Sequence, residues 1–307
     1  MDVITVDINS ALEIVKADSN YRVLTRLNIT DFHQFENAPS DEPIGRLAVI
    51  DTETTGLKVD EGDRIIDLSI ATCEYGKNSG HLYRVISRYD SLEDPEFPIP
   101  HEVTRLTGIS DDMVKGEKID ENKIDKVLDG VSLIICHNAS FDRGFLEARY
   151  PLFSQMHFGC SLHEIPWDLW ATKSSKLDYL GFRFNLFHDA HRARADVDML
   201  MMLLSQSTPD MSTTALSLLI NSARKKLWHI QAIDLPFDNK NLAKARGYKW
   251  FEGSSEIKKS WYIQTEDLDS ELEFLKEAGC RNPVFTPLTA RERYKPLKDI
   301  MQRFLRQ

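Results

Sequence analysis

Residues 46–57 read RLAVIDTETTGL, and this stretch decides the fold. LAVI is a short apolar run rich in β-branched residues, so it predicts a buried strand carrying Asp51 and Glu53 at or just past its end. Alternate strand residues share a face, which points the two acids the same way. Two carboxylates that close repel each other unless something cationic sits between them, and a divalent metal with oxygen ligands is the natural candidate. Thr54, Thr55 and Gly56 then turn the chain.

Two further segments supply chemistry of the same kind. VSLIIC (Val131 to Cys136) is a second buried-strand candidate, and the following HNASFDRGFLEARY has Phe141, Phe145 and Ala148 at helical spacing. Asp142 therefore falls in the first turn of a helix, where an acid also serves helix stability, so a purely structural role stands beside a chemical one. In HRARADVDM, His191 and Asp196 lie about 140° apart on a helical wheel. Both can reach one site only if His191 precedes the helix, and the Asn185 to Asp189 stretch looks loop-like enough to permit it. Four carboxylates and a histidine in this arrangement outline a two-metal phosphodiesterase. Phosphodiester cleavage builds up negative charge, and two divalent ions about 4 Å apart clamp the entering and leaving oxygens. An imidazole with an ordinary pKa near 6.5 can accept the proton of an attacking water. An all-carboxylate, water-rich site suits Mg²⁺ or Mn²⁺, whereas zinc would want more nitrogen or sulfur ligands.

DTETTGL, HNASFDRGFLE and HRARAD, in that order, resemble the three motifs of the DEDDh (DnaQ-like) 3′–5′ exonucleases. RIIDLSIA (Arg64 to Ala71) and PIPHEVTRLTGISDDMV resemble the segments between those motifs, so the likeness covers roughly Arg46 to Leu204. NYRVLTRL, CSLHEIPW and PFDNKNLAKARGYKW are similar, more narrowly, to bacterial DNA polymerase III epsilon-like exonucleases with extra flanks. The resemblance implies that Asp51, Glu53 and Asp196 hold the metal at the nucleophile, with Asp51 bridging to a second ion and Asp142 acting mainly through water. It makes His191 the general base, since His188, eight residues before Asp196, misses the family spacing. It implies that Leu57 wedges against the terminal base, that Thr52, Thr54 and Gly56 offer backbone groups to the terminal nucleotide, and that Asn138 also contacts substrate. A tight turn with a packed leucine is the alternative for Leu57. The implied activity is release of 5′-mononucleotides from nucleic acid 3′ ends, DNA favoured over RNA. The alternatives are an RNA or oligonucleotide exonuclease and a non-catalytic nucleic-acid-binding protein on the same fold, although a retired site has no physical reason to keep repelling carboxylates.

The implied architecture is α/β: a ribonuclease H-like mixed sheet flanked by helices, with an N-terminal arm and a small C-terminal α+β module. The expected divisions are an arm over 1–43, the exonuclease domain over 44–227 and the module over 228–307. The arm has a helical stretch from Ser10 to Ala17 and a strand-like YRVLTRL. LAVIDTE, RIIDLSIATCEY and HLYRVISRY are strand candidates, and helices near Asp196 to Ser205 and Thr214 to Leu227 close the domain. In the module, WHIQAI, YKWFE and SWYIQT read as strands, with helices over NLAKARG and Asp267 to Ala278. Its aromatics Tyr248, Trp250, Phe251, Trp261 and Tyr262 interleave with Lys244, Arg246, Lys249, Lys258 and Lys259. That suits single-stranded nucleic acid, although a small domain needs large aromatics for its core, and core is the favoured role.

A folded module in place of a linker and polymerase-binding segment argues against association with a polymerase. Residues 1–219 carry 21 basic and 36 acidic side chains, while 220–307 carry 17 and 12. Phosphate contact is therefore expected from local groups and from the tail half. No apolar run approaches the roughly 18 residues of a membrane span, and a signal-peptide pattern is missing, so a cytoplasmic protein is expected. The four cysteines lack CxxC spacing, which implies neither a zinc site nor a disulfide framework.

Overall fold

LAVI forms the centre of a sheet because both of its faces find apolar cover. Leu47 and Val49 enter one hydrophobic cluster, Ala48 and Ile50 another, and all four are fully buried. Burial of each larger side chain contributes roughly 2 kcal/mol. The computed structural model describes residues 7–254 and 257–302; the two ends of the chain, in the expected arm and module, lie outside the described residues. The strands in chain order are β1 (Thr25–Arg26), β2 (Ile44–Thr54), β3 (Ile65–Gly76), β4 (Leu82–Leu92), β5 (Val131–Cys136), β6 (Phe158–Cys160), β7 (Leu186–Phe187), β8 (Leu227–Ala232), β9 (Lys249–Phe251), β10 (Ser260–Thr265) and β11 (Val284–Leu288).

The main sheet has the order β4-β3-β2-β5-β6. β4, β3 and β2 pair antiparallel, whereas β2, β5 and β6 pair parallel, giving the expected ribonuclease H-like mixed sheet. The helices Ala193–Leu204 and Ala215–Ala223 supply the cluster on one face, and Glu121–Val127 and Ala139–Arg149 the cluster on the other. A strand covered on both sides has to bury any acid it carries, and β2 carries two.

The arm follows its sequence pattern only in part. The helix Ile8–Ala17 forms, capped by the Asp7 side chain on Ser10 N, but YRVLTRL contributes only the two residues of β1. Its partner β7 is equally short, so there is no edge for a longer strand to pair with. The arm is held beside the 185–191 loop by Arg22 donating to Asn185 (2.7 Å), Arg26 to Asp189 (2.7 Å) and Arg194 to Asp31 (2.7 Å).

The expected Thr214 to Leu227 helix is shorter, with Thr214 capping Ala215–Ala223 and Leu227 already opening β8. The module is a four-stranded antiparallel sheet, β11-β8-β10-β9, backed by the helices Lys240–Ala245 and Leu268–Glu277. Among the described residues of the module, β11 and the helix Leu297–Gln302 go beyond the sequence reading. Pro287 disguises β11, and proline is tolerated there because β11 is an edge strand. Tyr248, Trp261 and Phe274 pack in the module core, and Arg246 is paired with Glu271 (3.0 Å) and lies over Phe274.

Candidate active site

Asp51 and Glu53 lie on β2 just beyond the LAVI core, where burial alternates and leaves both acids half-buried. The helix Ala193–Leu204 packs against β2 and brings Asp196 to them. One carboxylate oxygen from each of Asp51, Glu53 and Asp196 lies within 4.8 Å of the others. Asp142 stands outside that triple but is coupled to it, because Thr52 donates to its Oδ1 from both the backbone N–H (3.2 Å) and the hydroxyl (2.9 Å). Thr52 is thereby engaged with Asp142 through both its backbone N–H and its hydroxyl.

The local sequence explains each placement. Asn138 takes a left-handed conformation (φ 102°) between β5 and the helix Ala139–Arg149, a geometry asparagine tolerates better than most residues. That bend sets Asp142 in the first turn, almost fully buried. After β2 the turn is fixed by Asp63, which accepts from Lys58 N (2.8 Å) and from the Thr55 hydroxyl (3.2 Å). A Cβ on Gly56 would fall 2.4 Å from that carboxylate, so any other residue would have to displace it. Thr54 closes the turn onto the Gly56 carbonyl (2.5 Å), and Leu57 is left 80% exposed, which removes the packed-leucine alternative.

The structure places the two histidines differently. His188, nearly buried, puts Nε2 3.0 Å from Asp196 Oδ1 and 3.7 Å from Asp178. His191 precedes the helix as expected, at φ 64°, but its side chain is exposed. The other Asp196 oxygen accepts from Arg192 N (3.1 Å). Two residues outside the sequence reading complete the surroundings. Asp67 on β3 sits directly across from Glu53, and Arg192 pairs with it at 3.3 Å. The readable signal was a lone acid in the otherwise apolar RIIDLSIA, since a buried carboxylate requires a partner.

Electrostatics in this cluster are those of carboxylates short of positive charge. Burial, and then the charges of Asp142, Asp196 and Glu53, push Asp51 well above the ordinary carboxylate range. Burial and then Asp196 raise Glu53 to about 8, Arg192 opposing weakly. Burial raises Asp142 to about 7 against the Thr52 hydrogen bonds. A divalent cation would satisfy all of these groups, and the donor set is entirely hard oxygen. The thiols do not compete, because all four cysteines are buried and free.

Fold and acid cluster together define a nuclease of the exonuclease class. Residues 48–204 match the RNase_T exonuclease family, and the chain belongs to it. It is 31% identical over 180 residues to the PolC-type DNA polymerase III of Lacticaseibacillus paracasei and 30% identical over 181 residues to that of Halalkalibacterium halodurans. These alignments cover 54% and 53% of this chain and 11% of each polymerase, so the chain spans about a tenth of the curated relatives it matches. Among solved structures, exonuclease X in complex with 5′-overhanging duplex DNA overlaps 57% of this chain and 99% of its own, at 22% identity and a TM-score of 0.38. A structure of exonuclease I overlaps 62% of this chain and 49% of its own, at 15% identity and a TM-score of 0.42.

Proposed function

We propose that this exonuclease is metal-dependent and works 3′ to 5′, hydrolysing phosphodiester bonds from the 3′ end of DNA and releasing 5′-mononucleotides. The observation that carries the reading is the convergence of Asp51, Glu53 and Asp196 within 4.8 Å, with Asp142 tied to the same strand through Thr52. Asp51, Glu53 and Asp196 would hold one Mg²⁺ or Mn²⁺ directly, and Asp142 would act on a second through water. Bound there, two divalent ions supply charge neutralisation at the phosphate and a more acidic water. Leu57 presses on the terminal base from its exposed turn, Thr54, Gly56 and Asn138 border the terminal nucleotide, and His191 takes the proton from the attacking water. Thr52 acts by holding Asp142 in register with β2. DNA is favoured because both polymerase relatives are DNA polymerases by name. No helix among the described residues is long and apolar enough to cross a membrane, and we place the protein in the cytoplasm, acting apart from a polymerase.

A second assignment of the base follows from one contact. His188 lies 3.0 Å from Asp196, and in that reading it is the proton acceptor while His191 faces solvent. The test of the activity is digestion of end-labelled single-stranded DNA, duplex DNA and RNA with Mg²⁺ or Mn²⁺. Stepwise shortening from the 3′ end supports the reading. Endonucleolytic cuts, or no cleavage by the purified protein with either ion, overturn it, and preferential RNA shortening moves the substrate to RNA.

A further inference from the structure

The module meets the exonuclease domain in a cleft of about 430 Å³ that reaches the helix carrying Asp142. Ser140, on one wall, stands two residues before Asp142, and His163 lies on the short Ser161–Glu164 helix that follows β6. The opposite wall is the module sheet, with Lys249 from β9 and Tyr262 from β10 directly paired across the strands. The width of the cleft is set by buried bonds. Arg143, next to Asp142 and fully buried, donates to the carbonyls of Arg291 (2.6 Å) and Arg293 (2.5 Å). Arg293 and Tyr294 in turn bind Glu164 at 3.3 and 2.5 Å.

Those same bonds decide the charge of the cleft. Glu164, the one acid in its lining, is neutralised by Arg293, while Lys249 is exposed and has no ion-pair partner among the described residues. The lining is thus electropositive beside a strongly acidic catalytic half, which is the local phosphate contact that such a half requires. Tyr262, stacked on His229 at 5.5 Å, adds an aromatic surface of the kind on which bases stack. His137, just ahead of the helix that carries Asp142, contacts Ser161 (2.7 Å) on the short helix that lines the cleft. A volume of about 430 Å³ lies in the range of small-ligand sites and has room for a nucleotide.

Building on the exonuclease reading, we propose that this cleft seats the single strand leading into the acid cluster, with Lys249 on a backbone phosphate just 5′ of the scissile nucleotide. The site makes single-stranded 3′ ends the preferred substrate and gives the module its role. The experiment measures kcat/KM of the full-length protein on single-stranded DNA from two to fifteen nucleotides, and on a blunt duplex, over a range of salt. For the wild type, kcat/KM rises from the dinucleotide to strands long enough to fill the cleft, and the duplex is slower. Lys249→Glu flattens that rise. It removes one phosphate contact, worth about fivefold at 0.1 M salt, and lowers the salt slope by about 0.7. Lys249→Gln, which removes the charge without reversing it, already costs that contact, and the charge reversal costs at least as much. A wild type equally fast on dinucleotide, long strand and duplex overturns the proposal and leaves the exonuclease reading standing. So do Lys249 variants with the wild-type length profile and salt slope. A wild type that cleaves no length overturns both.

Discussion

Replacing Glu53 by glutamine should stabilise the metal-free protein, and increasingly so as pH rises from about 4.5 to 8. Glu53 is held at about 8 against an ordinary 4.5, chiefly by burial and then by Asp196. A carboxyl raised in the folded state contributes stability that is fully present below its unfolded pKa and is lost as pH rises through the folded value. The window therefore runs from about pH 4.5 to 8, at up to about 1.4 kcal/mol per pH unit. Between pH 5 and pH 9 the wild type loses at most about 4 kcal/mol through this group, whereas the glutamine variant loses none. A direct charge pair gives the same scale: at 4.8 Å and an effective dielectric of about 20, two unit charges repel by roughly 3.5 kcal/mol. With about 2.1 cal/mol/K of unfolding entropy per residue, 4 kcal/mol over 307 residues is a Tm change of about 6 °C. The assay is thermal unfolding of both proteins in chelator at pH 5, 7 and 9, then with Mg²⁺. The Tm difference should open with pH in favour of the variant, and Mg²⁺ should raise the wild type more. Parallel Tm curves from pH 5 to 9 would refute the claim that these carboxylates repel in a buried cluster.

Asp51→Asn, Asp142→Asn and Asp196→Asn should each remove most activity at saturating Mg²⁺ with no loss of metal-free Tm; near-wild-type turnover in any of them removes that residue from the site. His191→Ala should lower kcat by about 100-fold and His188→Ala far less. The opposite order gives the base to His188. Leu57→Ala, at an exposed position, should leave Tm unchanged and raise KM on single-stranded DNA, and an unchanged KM retires the wedge. A covalently closed single-stranded circle should resist digestion under conditions that consume its linear form; comparable rates would mean an internal cut.

Most of the sheet was legible because its strands are buried on both faces. RIIDLSIA and VSLIIC, like LAVI, can be nothing else in a covered sheet, and SWYIQT matches β10 residue for residue. The acids were legible because carboxylates on a buried strand need a physical reason to be there. Contacts that depend on where a loop crosses were not legible. Five-residue spacing favoured His191, yet the loop from Asn185 is pinned by β1 and by Arg26, and this swings His188 onto Asp196. Thr52 likewise shows no sign in sequence that its hydroxyl is 2.9 Å from a carboxylate 90 residues away. Pro287 concealed β11, and of the module's interleaved aromatics Tyr248 and Trp261 join its core while Trp250 stays exposed, a division that alternation alone did not show.

The Arg143 bridge has a consequence for how the chain can be divided. Its guanidinium is sealed inside the protein and its acceptors include two main-chain carbonyls nearly 150 residues further on. Trimming the chain at the end of the catalytic motifs would strand that cation with Glu147 (2.6 Å) alone, and each hydrogen bond lost from a charged group costs about 1.5–3 kcal/mol, a sizeable share of the 5–15 kcal/mol that keeps an ordinary domain folded. The stranded group also adjoins Asp142, so the damage would fall where activity is measured. A shortened nuclease fragment would register as a dead enzyme, and that inactivity would speak of a missing brace rather than of the chemistry.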